Sequence, residues 1–294
     1  MLPRFEYIRA KNVKEAIHIL ETEGTDVRVL AGGTDIFVEM KQGQSHPRLL
    51  VDIKAIPELS QLSLESNGEL TIGASVSLAE LEYWAAGQKD WTGLSITARN
   101  IGSEQVRNRG TVVGNICRAS PAGDMAPMLI AMDARVEIVG PQGSKSMPLE
   151  NFLVGPGQTA LKPGELVTLL KIPRATSDTG AAFFKIGRRR AMNVAIVSVA
   201  AQIALNGANR IHSAGIVLGA VAPTPLRLHA AEEILLNQGM ADQILEDIGE
   251  LACSAAAPIT DFRSTHDYRL KLVKVLTRRA VQQAWERARQ AGGA

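Results

Sequence analysis

Apolar positions along the first part of the chain change period twice. Across residues 13–23 they fall at Val13, Ala16, Ile17 and Leu20, the spacing of one helix face, while 27–30 and 49–53 are short apolar runs that predict strands. This alternation predicts a small α/β unit ending near residue 56. The pattern restarts at Leu62. Leu70-Thr-Ile-Gly73 reads as a strand, and 77–85 as a helix whose Ser77 and Glu80 have capping-box spacing. Residues 95–101 read as a further helix and 134–139 as a strand, giving a second α/β unit that holds a long glycine-rich loop and ends near Arg174.

The polar stretch 174–180 contains a glycine and marks a boundary. Beyond it, 181–186, 194–205 and 211–218 alternate or run apolar like strands, with Asn206-Gly207 as a hairpin turn. Three successive strands predict an antiparallel sheet. Residues 228–236, 241–257 and 267–290 then read as helices, the last with Leu270, Val273, Leu276, Ala280 and Val281 on one face. The fold class is therefore α+β. Two small α/β units, 1–56 and 57–176, make a first domain, and 177–294 make an α+β domain with a three-stranded antiparallel sheet and helices.

Two segments carry the chemistry. In Gly110-Thr-Val-Val-Gly-Asn-Ile-Cys-Arg-Ala-Ser-Pro-Ala-Gly-Asp124, glycines allow close backbone approach to a ligand, Thr111, Asn115 and Ser120 offer short donors, and Asp124 offers an acceptor. In Val29-Leu-Ala-Gly-Gly-Thr-Asp-Ile36 a β-branched strand runs into Gly32 and Gly33, whose consecutive N–H groups can make a partly positive nest, with the Thr34 hydroxyl beside it. A plain glycine turn between two elements is the alternative for each. Neither segment has the G-x-G-x-x-G dinucleotide spacing, and no G-x-x-x-x-G-K-[ST] occurs. A phosphate here is held in some other way.

The order Ala-Gly-Gly-Thr-Asp (31–35), Gly-Thr-Val-Val-Gly-Asn-Ile-x-x-Ala-Ser-Pro-x-x-Asp (110–124), Gly-Pro-Gly-x-Thr (155–159) and Phe-Phe-Lys-Ile-Gly-Arg-Arg (183–189) resembles the FAD-binding medium subunit of the xanthine dehydrogenase family of molybdenum hydroxylases. The likeness continues through 218–227 and 261–269 and covers nearly the whole chain. It implies an FAD-binding domain of the PCMH type and a role in electron transfer. FAD would take electrons from two [2Fe–2S] clusters of a small partner subunit and pass them to NAD⁺ or another acceptor. A large partner subunit with the molybdopterin cofactor would oxidise a purine, another N-heterocycle, an aromatic thioester or an aldehyde. The Ala-Ser-Pro-x-x-Asp loop leans away from the carbon monoxide branch.

The resemblance also implies roles for residues. The segment Val29, Leu30, Ala31, Gly32, Gly33, Thr34, Asp35 and Ile36 would wrap the diphosphate, and Thr111, Val112, Val113, Gly114 and Asn115 would complete the cradle. Asp124 matches a carboxylate that binds polar groups of the cofactor, and Ile101 and Val167 match positions that touch its rings, with plain core packing as their alternative. Lys185 matches a lysine on a strand reaching the flavin, where a cation favours the reduced ring; a solvated edge-strand lysine is its alternative. Two glycine turns would supply the diphosphate's donors without an arginine. Many relatives have Gly-Gly-Asn where this chain has Val113-Gly114-Asn115, so one glycine is missing. Arg188 and Arg189 are left without an assigned role.

Composition narrows the alternatives. The 294 residues, 46% hydrophobic and 21% charged, are enough for more than one core. A net charge of +2, with no basic stripe beyond Arg188-Arg-Arg190, argues against a nucleic-acid partner. No run of 18 apolar residues and no secretion-signal layout occurs, so membrane insertion is not expected and a cytoplasmic location is. Cys117 and Cys253 make no disulfide framework or cluster motif, and the five histidines lack metal or nucleophile spacing. No side chain is therefore assigned to catalysis or to a metal; the flavin does the chemistry. A self-sufficient FAD oxidase and a nucleotide-binding assembly module without flavin are the rival readings.

Overall fold

A computed structural model describes residues 2–175, 178–189 and 191–292. The domain boundary read between residues 176 and 177 lies outside the described residues.

The first unit is built as its periodicity predicts. Helix Val13–Thr22 starts where the Asn12 side chain accepts the Glu15 N–H, and turns Ala16 and Ile17 inward. Strands Val27–Leu30 and Leu49–Asp52 run parallel, and a third strand, Glu6–Arg9, joins them to give the order Glu6–Arg9, Leu49–Asp52, Val27–Leu30. That edge strand exposes all four residues, so no apolar alternation announced it. Central Leu49–Asp52 is buried throughout, as a strand covered on both faces must be.

The second unit departs from expectation. Its five strands, in the order Leu62–Leu64, Leu70–Gly73, Leu166–Ile172, Arg135–Gly140 and Gly143–Pro148, all pair antiparallel, so the unit is α+β rather than α/β. Helix Leu78–Ala86 carries the capping box, with Ser77 and Glu80 exchanging both side-chain-to-backbone bonds. The helix expected at 95–101 runs instead over Thr92–Arg99. The presumed glycine loop is partly helical, with a short helix at Val112–Cys117, and the apolar run just after it forms helix Met125–Ala131 with every residue buried.

The last region has a four-stranded antiparallel sheet rather than a three-stranded one, in the order Thr179–Ile186, Val197–Leu205, Ile211–Gly219, Leu226–Arg227. The extra strand is two residues long, too short to leave a pattern. In the hairpin after Val197–Leu205, the Asn206 Oδ1 accepts the N–H groups of Ala208 and Arg210, and the left-handed residue is Asn209 rather than Gly207. Helices His229–Leu235, Asp242–Ala255 and His266–Gly292 follow. The last lies against Thr179–Ile186 so closely that a Cβ on Gly180 would meet the Ala284 carbonyl oxygen at 2.2 Å.

One contact positions the site. The buried helix Met125–Ala131 lies on the third sheet, where a Cβ on Gly215 would reach the Ala131 carbonyl oxygen at 2.1 Å. This packing fixes Asp124, at the start of that helix, beside the strand that carries Lys185.

Candidate cofactor cleft

The two glycine segments meet. Strand Val27–Leu30 delivers its chain into the turn at Gly32 and Gly33, and the segment before helix Val112–Cys117 passes against it. A Cβ on Gly32 would stand 2.2 Å from the Arg109 carbonyl oxygen and 2.7 Å from the Gly110 Cα. Gly32 is therefore required by the approach of one turn to the other, a reason that differs from ligand contact. Gly33 has φ of +75°, the left-handed region that glycine enters freely.

Between the turns opens a cleft of about 550 Å³, within the usual range for cofactor pockets. Val29, Ala31, Gly32, Gly33, Thr34, Asp35 and Ile36 line it from one side, Thr111, Val113, Gly114 and Asn115 from the other, with Ile101 and Val167 on its walls. Val167 is only 2% exposed, so its cleft and core roles coincide. Five expected residues lie elsewhere, Asp124 and Lys185 among them. Leu30 packs with Met40 and Leu50, and Val112 is buried in the main core, because alternate positions along a strand or turn face opposite ways. Ser120 faces a different hollow, beside Pro121 and Arg269, and its hydroxyl accepts the Ala122 N–H at 3.3 Å.

The polar groups of the cleft fit an anionic cofactor. Among the described residues, none of the backbone N–H groups of Gly32, Gly33, Thr34 and Asp35 finds an acceptor in the protein. Four consecutive donors without a protein acceptor on a glycine turn are what an anion nest requires. Across from them, Thr111 Oγ1 caps helix Val112–Cys117 by accepting the Gly114 N–H at 2.9 Å, which leaves its hydroxyl proton free to donate. Asn115 Oδ1 is buried at the cleft without a donor. A ligand bearing hydroxyl or N–H groups would satisfy such an orphaned acceptor, and FAD carries both along with its diphosphate.

Asp124 and Lys185 do not line the cleft; they form a buried ion pair beside the Asn100 carbonyl. Lys185 Nζ donates to Asp124 Oδ2 at 2.5 Å and to the Asn100 carbonyl at 3.0 Å, and its side chain is only 3% exposed. The alternative of a solvated lysine is thus excluded. Burial outweighs the adjacent ammonium and pushes the Asp124 carboxyl up to about 6.

Several further residues line the cleft beside those expected. Leu161, Leu166 and Met192 add apolar surface, and Cys117 contributes a thiol that burial pushes up to about 12, which makes it an inert packing group. An arginine does stand between the turns: Arg118 reaches Glu39 at 2.9 Å and Asp35 at 3.5 Å. Glu165, also at the cleft, is held by Lys145 at 2.6 Å and by the Lys162 N–H, which together keep its carboxyl below the usual range despite some burial. Among the described residues no cluster of His, Cys, Asp or Glu could hold a metal ion. No described helix is long and apolar enough to cross a membrane.

Comparison with known proteins shows the family of the chain. Residues 3–175 match the family model described as the FAD binding domain in molybdopterin dehydrogenase. The chain belongs to this family. Residues 182–284 match the CO dehydrogenase flavoprotein C-terminal domain. The chain is 30% identical over 279 residues to the xanthine dehydrogenase FAD-binding subunit of Escherichia coli O157:H7, covering 95% of each. It is 31% identical over 285 residues to the carbon monoxide dehydrogenase medium chain of Hydrogenophaga pseudoflava, covering 97% of this chain and 98% of that one. A structure of carbon monoxide dehydrogenase from that organism superimposes with a TM-score of 0.93 at 32% identity, covering 98% of this chain and 99% of that chain. Quinoline 2-oxidoreductase from Pseudomonas putida 86 follows at 0.90 and 27%, with the same coverage. The protein is an FAD-binding oxidoreductase subunit of the molybdenum hydroxylase family. The identities do not separate the xanthine branch from the carbon monoxide branch.

Proposed function

We propose that this chain carries FAD in the cleft between its two glycine turns and relays electrons within a heteromeric molybdenum hydroxylase. They come from the [2Fe–2S] clusters of a small subunit and leave to NAD⁺ or another soluble acceptor, while a large molybdopterin subunit oxidises a purine, N-heterocycle, aromatic thioester or aldehyde. The observation that carries the binding assignment is the row of four unpartnered N–H groups from Gly32 to Asp35. When bound, FAD accepts and releases electrons one or two at a time.

The chain's own residues bind and tune. The N–H groups of Gly32–Asp35 and the hydroxyls of Thr34 and Thr111 hold the diphosphate, replacing the water hydrogen bonds that two negative charges lose on burial. Asn115 accepts from the cofactor's donors, and Ile101 and Val167 exclude water along the ring wall. Asp124 fixes the ammonium of Lys185, whose positive charge raises the affinity of its surroundings for electrons. No side chain here performs acid–base chemistry. The boundary between the cofactor domain and the C-terminal domain falls near residue 176.

Purification from the native host, with an absorbance spectrum and identification of what copurifies, tests the proposal. Flavin and iron–sulfur bands with two further subunits are expected. Yellow protein alone, reduced directly by a substrate, would replace the relay with a self-sufficient oxidase. Colourless protein would remove the cofactor assignment.

A further inference from the structure

Three carboxylates, Asp35, Glu39 and Glu165, line the cleft assigned to a cofactor that carries a diphosphate. Such a lining repels an anion. Glu165 has its own cation, because Lys145 holds it at 2.6 Å. Asp35 and Glu39 share one, Arg118, with the guanidinium Nη2 at 2.9 Å from Glu39 Oε1 and Nε at 3.5 Å from Asp35 Oδ1.

Arg118 comes from the far side of the cleft. It is the C-cap of helix Val112–Cys117, its backbone N–H bonded to Gly114 and Ile116 carbonyls, whereas Asp35 and Glu39 belong to the first turn and its helix Ile36–Lys41. The ion pairs thus span the two walls. Guanidinium nitrogens at two carboxylates leave further N–H donors of the five-donor fork for an anion.

We infer that Arg118 is a positioning residue that makes the cleft accept a diphosphate: it cancels Asp35 and Glu39 and ties the two glycine turns together. This rests on the cofactor assignment proposed above. The consequence is selectivity. Without Arg118, two uncompensated carboxylates face the phosphates, while a flavin lacking phosphates meets no such penalty.

The test is an equilibrium titration of the flavin-free full chain with FAD and, separately, with riboflavin, which has the same ring system and no phosphate, followed by flavin fluorescence. Arg118→Gln should weaken FAD binding by about tenfold or more, the scale of one lost charge-assisted contact, and leave riboflavin affinity within about twofold. Arg118→Lys should recover part of the loss. Combining Arg118→Gln with Asp35→Asn and Glu39→Gln removes both the cation and the anions it serves, and should return FAD affinity to within about threefold of the parent. This neutral combination also serves as the test should Arg118→Gln alone fold poorly. Equal losses for both flavins, an unchanged FAD affinity in Arg118→Gln, or a triple variant with no recovery would overturn the inference while leaving the cofactor assignment standing. If the parent chain binds neither flavin, the cofactor assignment itself fails and this inference with it.

Discussion

Replacing Gly32 by alanine tests how the two turns are held together. One methyl group is added, and its carbon would lie 2.2 Å from the Arg109 carbonyl oxygen, 2.8 Å from the Arg109 carbonyl carbon and 2.7 Å from the Gly110 Cα. An ordinary contact is about 3.5 Å or more, so one backbone segment must retreat by about 1 Å. Backbone, unlike a flexible side chain, has little room to do so. Gly32 does not have a positive φ, so no conformational strain is added and the effect is purely steric. Overpacking of this kind costs about 1–3 kcal/mol, which lowers the melting temperature of a chain this size by roughly 2–5 °C. The larger effect falls on the cofactor, since widening the turns separates the N–H nest from Thr111 and Asn115. Flavin content of purified Gly32→Ala, from the ratio of flavin to protein absorbance, should drop severalfold. Gly207→Ala is the control, because a Cβ there meets nothing within 4 Å. Full flavin content with an unshifted melt in Gly32→Ala would refute the argument that turn-to-turn contact shapes the cleft.

Gly33→Val should lose flavin more completely, because φ of +75° excludes a β-branched residue and its Cβ would stand 2.8 Å from the Phe37 ring; unchanged flavin content would sink the diphosphate assignment. Lys185→Met should shift the flavin potential or the rate of electron delivery to acceptor more than it shifts flavin content, and would also leave Asp124 buried and unpaired; spectroelectrochemistry that finds the parent potential would remove Lys185 from the tuning role. Asp124 has a folded-state pKa of about 6, raised from 3.8, so the folded chain holds this proton more tightly than the unfolded chain, and stability from this group is gained as pH falls from above 6 toward 3.8. Urea midpoints of the parent and Asp124→Asn between pH 7.5 and 5 should therefore diverge, the parent gaining relative to the variant on acidification; parallel curves would refute it. Arg269→Met should destabilise by about 3 kcal/mol, since the 3% exposed guanidinium ties the Ile196 and Ala220 carbonyls to Asp261; a urea midpoint within error of the parent would show those ties to be replaceable.

What was legible in the sequence follows from the kind of signal each element leaves. Helices Val13–Thr22 and Leu78–Ala86 announced themselves because each exposes one face and opens on a side-chain cap. Strand Leu166–Ile172 did not, although it is the middle of its sheet. It is buried on both faces at most positions, and Pro163-Gly-Glu just before it reads as loop, so neither period could emerge. The antiparallel order of that sheet was equally hidden, since pairing between residues about 100 apart is a property of topology and leaves no local mark. Helix Met125–Ala131 is buried all round and seven residues long, too short and too uniformly apolar to be told from a strand.

The site divides along the same line. Gly32, Gly33, Thr34 and Asn115, which line the cleft, could be singled out because a glycine turn with short polar neighbours suits an anion, with a plain turn as the other reading of the same residues. Arg118, Glu39 and Glu165 were not, because a charged residue on a short helix or a turn usually means only a solvated surface. Their significance comes from Glu39 beside Asp35 on one segment, Glu165 on a second and Arg118 on a third being brought to one cleft, and the charge balance of a cleft cannot be summed before its walls are known. Lys185 shows the converse. Its spacing in Phe183-Phe-Lys-Ile186 fits a strand residue facing water, yet its side chain is buried with its ammonium on the Asp124 carboxylate and the Asn100 carbonyl. A motif therefore located the cleft, while the packing of the C-terminal sheet against the cofactor domain determines which charges sit beside it. A substitution on that packing face, such as Gly215→Val against the Ala131 carbonyl, should reach the flavin's environment by displacing Asp124, without touching any residue that lines the cleft.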